Sequence, residues 1–111
     1  MESQNNTKKE TSVMPGYLLT LTAKEGCGEE IASALRKTIT NIEKEPGTIA
    51  WFGFRISDTQ FGTFDVFVDE EARIFHREEG MKRVNKLLPL VVEGSVSIRE
   101  IDIISAKLPG R

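Results

Sequence analysis

The chain is poor in the residues that hold metals and form covalent cross-links. Its 111 residues include one cysteine, Cys27, and one histidine, His76. One cysteine excludes an intrachain disulfide and a cysteine metal cluster, and one histidine without a second soft ligand argues against zinc. We therefore expect neither a metal nor another cofactor. The cysteine usage also fits a reducing, cytoplasmic location.

Long apolar runs and a surplus of charge are lacking as well. No stretch approaches the ~18 apolar residues that a membrane span needs. The net charge is −2 with both signs interspersed, so we expect neither nucleic acid nor a membrane as a partner. The sequence has no Gly-x-Ser-x-Gly hydrolase elbow and no glycine-rich phosphate loop followed by a basic residue.

Residues 1–13 differ in composition from the rest of the chain. They are rich in Asn, Thr, Lys and Glu and contain no apolar run of the kind found in a secretory signal. Such a segment cannot bury enough apolar surface to offset the entropy lost on ordering, which predicts a disordered polar tail. We expect one folded domain over residues 14–107 and a short tail over residues 108–111.

Hydrophobic periodicity predicts the element order β-α-β-β-α-β. β-rich stretches predict strands over residues 17–23, 48–56, 61–69 and 96–104. Apolar residues three or four apart predict helices over residues 29–44 and 70–92, the second divided at Gly80. The stripe of the first helix consists of Ile31, Leu35, Ile39 and Ile42. This order is the split βαβ arrangement of an α+β, ferredoxin-like fold with an antiparallel sheet.

The second and third strands predict a hairpin that is apolar on both faces. Pairing Ile56 with Phe61 places four side chains on one face: Phe52, Phe54, Asp65 and Phe67. The opposite face then carries Ile49, Trp51, Phe64, Val66 and Val68. Helices cover only one face of such a sheet, so we expect a second copy to cover the other, in a homodimer through the sheet face. A monomer with a few exposed aromatic side chains is the alternative.

Five segments carry a resemblance to a known family. They are residues 19–26 (LTLTAKEG), 45–48 (EPGT), 51–52 (WF), 64–76 (FDVFVDEEARIFH) and 106–109 (AKLP). Their order and spacing resemble the antibiotic biosynthesis monooxygenase family of dimeric α+β barrel proteins. The resemblance covers nearly the whole domain and implies a dimer with a pocket between sheet and helices.

The resemblance also implies an activity. The better-known members oxidise phenolic or quinol-like aromatic substrates with dioxygen and without metal or flavin. Heme degradation, which occurs in the same family, is disfavoured. Where heme-degrading members place an asparagine, a tryptophan and a heme-ligating histidine, this chain has Tyr17, His76 and Lys86.

The position of His76 in the family pattern and its chemistry predict a catalytic role. With an ordinary pKa of ~6.5, a histidine at an apolar pocket can take the proton of an aromatic hydroxyl, and the resulting anion can reduce dioxygen. A structural helix histidine is the alternative. Asp65 is predicted either to orient His76 or bind a substrate hydroxyl, or to form a salt bridge within the dimer. Its candidate partners are Arg55, Arg73 and Arg99.

The predicted ligand site is aromatic. Phe52, Phe54 and Phe67 are predicted to line the cavity, with Tyr17 supplying a phenolic hydrogen bond, although all four are also compatible with simple packing. The predicted function is a cofactor-free monooxygenase acting on a small aromatic ligand. The alternatives are a non-catalytic dimeric protein that binds a small molecule or serves stress physiology and, third, an isomerase or lactone-processing enzyme on the same scaffold.

Overall fold

A computed structural model of the chain describes residues 14–109. Four strands form one antiparallel sheet: β1 (Met14–Thr22), β2 (Thr48–Arg55), β3 (Gln60–Phe67) and β4 (Ser97–Ile103). Their order across the sheet is β2-β3-β1-β4. With helices α1 (Gly28–Ile42) and α2 (Glu70–Leu87), this confirms the predicted α+β, ferredoxin-like fold. The predicted tail over residues 1–13 lies outside the described residues, as do residues 110–111.

Helix α1 begins after a turn in which Gly26 has a φ of +81°, a conformation that glycine adopts without strain. Its inner face buries Ile31 and Ile42, as the predicted stripe requires. Ile39 departs from that stripe, because its side chain is 39% exposed. The helix packs on a core formed with β1 and β3, whose buried members are Leu21, Ala23, Ile31, Ala32, Phe61 and Val91.

Helix α2 runs through Gly80 without interruption, so the predicted division at this residue is wrong. Asp69 caps the helix, because its Oδ1 accepts a hydrogen bond of 2.9 Å from the Ala72 amide. A glycine inside a helix costs only about 1 kcal/mol relative to alanine, which tertiary packing can outweigh. A short 3₁₀ turn, Leu88–Leu90, ends the helical region.

We expect Gly80→Ala to raise the free energy of unfolding by about 0.5–1 kcal/mol, because alanine loses less backbone entropy in a helix. The position has room, since a Cβ there would lie no closer than 3.7 Å to any neighbouring side chain. Urea denaturation of the variant and the parent measures the difference. A lower stability of the variant would show that the glycine relieves a local constraint.

The register of the β2–β3 hairpin differs from the predicted one by one residue. Phe54 pairs with Gly62 and Phe52 with Phe64, while Trp51 pairs with Asp65. Side chains alternate between the two faces of a strand, so this shift moves the side chains of β2 from Ala50 onward to the opposite face. Trp51 therefore faces the helices together with Asp65, and both Phe52 and Phe54 face away from them.

The face of the sheet turned away from the helices is apolar, as the sequence predicts, although its members on β2 differ. By the strand registers it carries Leu18, Phe52, Phe54, Phe64, Val66, Ile101 and Ile103. Phe52 is 55% exposed there and stacks on Phe64 with 6.3 Å between ring centroids. Among residues 14–109, no helix is both long and apolar enough to cross a membrane.

Candidate functional site

A cavity lies between the helix-facing side of the sheet and helix α2. The space open to the centre of a water-sized sphere is about 90 Å³, well above the 10–15 Å³ that one water requires. Most of its wall is apolar and comes from β1, β2, β4, α1 and α2: Leu19, Leu21, Leu35, Trp51, Met81, Val84, Leu87 and Ile98. The polar groups on the wall include Tyr17, Asp65, His76 and Arg83. A small, largely apolar molecule is the ligand that such a wall suits.

His76 projects from α2 between two carboxylates. Its Nε2 lies 3.0 Å from Asp65 Oδ2 on β3, and its Nδ1 lies 2.8 Å from Glu45 Oε1. All three side chains are buried, with at most 9% of their surface exposed. Since a carboxylate only accepts, both ring nitrogens donate and the imidazole is held as a cation. We call these three residues the acid–histidine–acid array.

Glu45 reaches His76 from the turn that joins α1 to β2. Gly47 brings this turn against α2, because a Cβ at Gly47 would lie 2.5 Å from the Cβ of Ala72. Thr48 Oγ1 donates a hydrogen bond of 2.7 Å to Glu45 Oε1, the same oxygen that faces the histidine. The turn therefore fixes the carboxylate in a position where the histidine can donate to it.

The array raises the pKa of His76 above its ordinary value of 6.5. Burial alone would lower this pKa, because desolvation disfavours the charged ring. Hydrogen bonds to Asp65 and Glu45 outweigh the burial, and the charges of the two carboxylates add to them. His76 is therefore protonated more readily than an ordinary histidine, and its protonated ring supplies a counter-charge to the two buried acidic side chains.

Asp65 has one oxygen engaged and one free. Its side chain is 2% exposed, and Oδ1 has no hydrogen-bond partner among the described residues. The predicted arginine partners are wrong. Arg55 pairs with Glu29 at 2.7 Å, and by the strand register Arg99 lies on the opposite face of the sheet. Because Asp65 faces the helices, it is also not placed for a salt bridge across a dimer formed through the other face.

Arg73, the third predicted partner, contacts β1 and the first turn of α2 instead. It is buried, with its Nη2 atom 2.7 Å from Glu70 Oε1 and its Nη1 atom 3.3 Å from the carbonyl of Gly16. Its guanidinium also lies 5.4 Å from the ring centroid of Tyr17, in cation–π distance. Arg73 thus ties the first turn of α2 to β1 and leaves Asp65 to His76.

Tyr17 and Phe67 lie beside the array. Phe67 is completely buried, with its ring centroid 5.0 Å from that of His76 and 5.9 Å from that of Tyr17. It packs behind the histidine and is not part of the cavity wall. Tyr17 is on the wall. Burial raises the pKa of its hydroxyl and outweighs the nearby charges of Arg77 and Arg73, so the phenol remains a neutral hydrogen-bond donor.

The predicted aromatic wall requires a correction. Phe52 and Phe54 lie on the other face of the sheet, because the hairpin register is shifted by one residue. Trp51, which the sequence placed at the dimer interface, instead lies on the cavity wall. Gly53, its neighbour but one on β2, leaves space that the indole fills, since a Cβ there would lie 3.0 Å from Trp51 Cη2.

A cationic group faces the array across the cavity. Helix α2 places Arg83 one turn after Gly80 and two turns after His76. A Cβ at Gly80 would lie 3.7 Å from Arg83 Nη2 and 3.8 Å from His76 Nε2. The missing side chain at Gly80 thus leaves the guanidinium and the imidazole facing the same small space. Within residues 14–109, no ion pair involves Arg83 and no group of three or more side chains could hold a metal ion.

Comparison with known proteins places this architecture in a group of similar folds. No protein-family model and no curated protein matches the chain. Among solved structures, a protein of unknown function from Nitrosomonas europaea matches with a TM-score of 0.82 at 25% identity, covering 91% of this chain and 99% of that one. A protein titled antibiotic biosynthesis monooxygenase matches with a TM-score of 0.70 at 14% identity, covering 83% and 100%. The chain has the fold of the antibiotic biosynthesis monooxygenase proteins.

A third solved structure is similar in fold. It is a conserved protein of unknown function from Bacteroides thetaiotaomicron, whose description adds that it is a possible oxidoreductase. It matches with a TM-score of 0.70 at 16% identity, covering 83% of this chain and 99% of that one. At such identities the likeness concerns the fold, so the activity of this chain has to be argued from its own residues.

Sequence reasoning missed three residues of the site in this antibiotic biosynthesis monooxygenase-like fold: Glu45, Trp51 and Arg83. Glu45 precedes the Pro46-Gly47 helix stop and lies 31 residues from His76, so its pairing carries no local signal. Trp51 was placed on the wrong face by the register. Arg83 is one of several charged residues on α2, and only its position after Gly80 distinguishes it.

The raised pKa of His76 predicts how stability depends on pH. A group whose pKa is higher in the folded state stabilises fully below its unfolded value of 6.5 and loses this contribution as the pH rises through the folded value. We expect the stability difference between the wild type and His76→Gln to fall by about 1.4 kcal/mol per pH unit in that window. Urea denaturation between pH 6 and 9 measures it. A histidine that titrates at or below 6.5 by NMR would contradict the prediction.

Proposed function

We propose that the protein is an oxidoreductase of the antibiotic biosynthesis monooxygenase type, which oxidises a small phenol- or quinol-like aromatic with dioxygen and without metal or flavin. The observation that carries this proposal is that Asp65 and His76 of the acid–histidine–acid array lie on the wall of a largely apolar cavity. Deprotonation of an aromatic hydroxyl produces the electron-rich anion that reduces dioxygen. The site offers what this step requires, a ring-binding wall and a buried proton acceptor.

The geometry of the array favours a different acceptor for the substrate's hydroxyl proton than His76, which the sequence suggests. Both ring nitrogens of His76 lie against carboxylates, so the ring has no free lone pair for a substrate proton. Asp65 still has acceptor capacity at Oδ1. We assign the role of proton acceptor to Asp65, with His76 and Glu45 positioning it. The indole of Trp51 then provides an aromatic surface for the substrate ring.

Oxygen uptake with a panel of hydroquinones and naphthohydroquinones tests the proposal. We expect uptake by the wild type, with ¹⁸O from labelled dioxygen appearing in the product, and a rate at least tenfold lower for Asp65→Asn. Lys86→Gln, on the exposed side of α2, is the matched control and retains the wild-type rate. Uptake no faster than autoxidation, or equal rates in wild type and Asp65→Asn, contradicts the proposal.

Ligand binding without turnover is the second candidate. It is favoured by the one observation that His76 has both nitrogens occupied, which leaves few groups for chemistry. Native mass spectrometry of the purified protein distinguishes the two functions. A retained small molecule together with no oxygen uptake supports the binding protein, whereas sustained turnover excludes it.

We also propose that the protein is a homodimer through the apolar sheet face, in the cytoplasm. The exposed ring of Phe52 lies on this face, and no described helix covers it. We expect sedimentation velocity to show a dimer at micromolar concentration and Phe52→Glu to give a monomer with unchanged helix content. A wild-type monomer under these conditions would contradict the proposal.

A further inference from the structure

The cavity wall carries a hydrogen-bond acceptor and a cation that border the same small space. On one side is Asp65, which is nine-tenths or more buried and has an acceptor oxygen without a partner in residues 14–109. On the other side is the half-buried Arg83, whose Nη2 lies across the gap at Gly80 from His76 Nε2. The rest of the space is bounded largely by aliphatic and aromatic side chains.

We propose that the natural ligand is an aromatic acid, which donates a hydroxyl hydrogen bond to Asp65 Oδ1 and places its own anionic group on Arg83. This inference rests on the proposed function and narrows its substrate class from phenols in general to phenols that carry a carboxylate or a similar acidic group.

One arginine on the cavity wall, Arg83, can receive an anionic group of a ligand. His76 is enclosed by its two carboxylates and Arg73 by Glu70 and Glu100, so both of these cations are already compensated. Arg83 has no carboxylate within salt-bridge distance among the residues that the structure describes. A guanidinium beside an apolar cavity binds a planar carboxylate through two parallel hydrogen bonds, which gives both affinity and orientation.

Arg77, the other arginine on the cavity wall, differs from Arg83 in its surroundings. Arg77 is exposed, and its positive charge acts on the Tyr17 hydroxyl, where it opposes the rise of the pKa caused by burial. Arg83 is therefore the cation available to a ligand that has entered the cavity. Gly80 keeps the path between Arg83 and the array open, which gives a reason for a glycine within a continuous helix.

Binding in the absence of oxygen tests this inference separately from turnover. The probes are 3-hydroxybenzoate, benzoate and phenol, and the fluorescence of Trp51 on the cavity wall reports occupancy, since it is the only tryptophan of the chain. We expect 3-hydroxybenzoate to bind at least tenfold more tightly than either of the other probes, because each lacks one of the two anchoring groups.

One variant tests each of the two anchoring residues, Arg83 and Asp65. Arg83→Gln should weaken 3-hydroxybenzoate about tenfold and leave phenol unchanged, whereas Asp65→Asn should weaken 3-hydroxybenzoate and leave benzoate unchanged. Lys86→Gln removes one positive charge from the same helix outside the cavity and should change none of the three affinities. The probe series alone tests the Asp65 anchor if Asp65→Asn fails to fold.

The outcomes separate this inference from the proposed function. Equal affinity for all three probes, or an Arg83→Gln variant that binds 3-hydroxybenzoate as the wild type does, overturns the inference whatever the oxygen assay shows. Tight, Arg83-dependent binding without oxygen uptake upholds the inference about the ligand and removes the monooxygenase. Oxygen uptake with neutral quinols, together with no preference for 3-hydroxybenzoate over the other probes, upholds the monooxygenase and overturns the inference about the ligand.

Discussion

Removing the imidazole with His76→Ala should lower the free energy of unfolding by about 3–5 kcal/mol at pH 7, because it leaves Glu45 and Asp65 buried without their shared cation. The loss should be largest below pH 6.5 and smaller at pH 9, because the contribution of a group with a raised pKa is lost as the pH rises through its folded-state value. Urea denaturation followed by circular dichroism at pH 6 and pH 9 measures the two losses.

The adjacent exposed residue provides the control for this experiment. Phe75 is 54% exposed on α2, so Phe75→Ala should cost less than about 1 kcal/mol and show no such dependence on pH. If His76→Ala were as mild as this control, the imidazole would not be compensating two buried carboxylates. The acid–histidine–acid array would then contribute little to the stability of the fold, and the proposed role of Asp65 as proton acceptor would lose its support.

Truncation of Phe67 should be equally damaging for a different reason. Its ring is fully buried against His76 and Tyr17, so Phe67→Ala should cost about 3–5 kcal/mol through lost burial and the cavity left behind. Because this packing lies within one protomer, the loss should not depend on protein concentration. Urea denaturation at two concentrations that differ a hundredfold measures both properties.

Phe52→Ala is the matched variant on the other face of the sheet. Its ring is 55% exposed in the protomer, so the intrinsic cost should be about 1 kcal/mol or less. Any larger loss should appear only as a change in the concentration dependence, because in the proposed dimer Phe52 stabilises the fold through association. Equal, concentration-independent losses in Phe52→Ala and Phe67→Ala would favour the register that places both rings on the same face.

The element order was predictable because each element has its own local signal. Ile31 and Ile42 mark the inner face of α1, and Pro46-Gly47 marks its end. The predicted strands overlap all four observed ones, with boundaries that differ by up to three residues at β1. These signals depend on periodicity and on turn chemistry, which act over a few residues and require no knowledge of the tertiary structure.

The hairpin register was not predictable with the same rules. The alternative pairings of β2 with β3 differ by one residue, and both give two apolar faces, because apolar side chains occupy both alternating positions of these strands. Hydrophobic patterning fixes a register only where one face is polar. The observed pairing is compatible with close packing: Gly62 lies under the Phe54 ring and Gly53 beside the Trp51 indole.

The sequence by itself determined the order of strands and helices and the surplus of apolar surface on the sheet, and it indicated His76 and Asp65 as candidate site residues. Only the tertiary structure decided that Glu45 completes the array, that Trp51 rather than Phe52 borders the cavity, and that Arg83 faces it across Gly80. The physical reason is the distance along the sequence over which each signal acts. Periodicity acts within one helix or strand, whereas a buried ion pair depends on where separate elements meet in the fold.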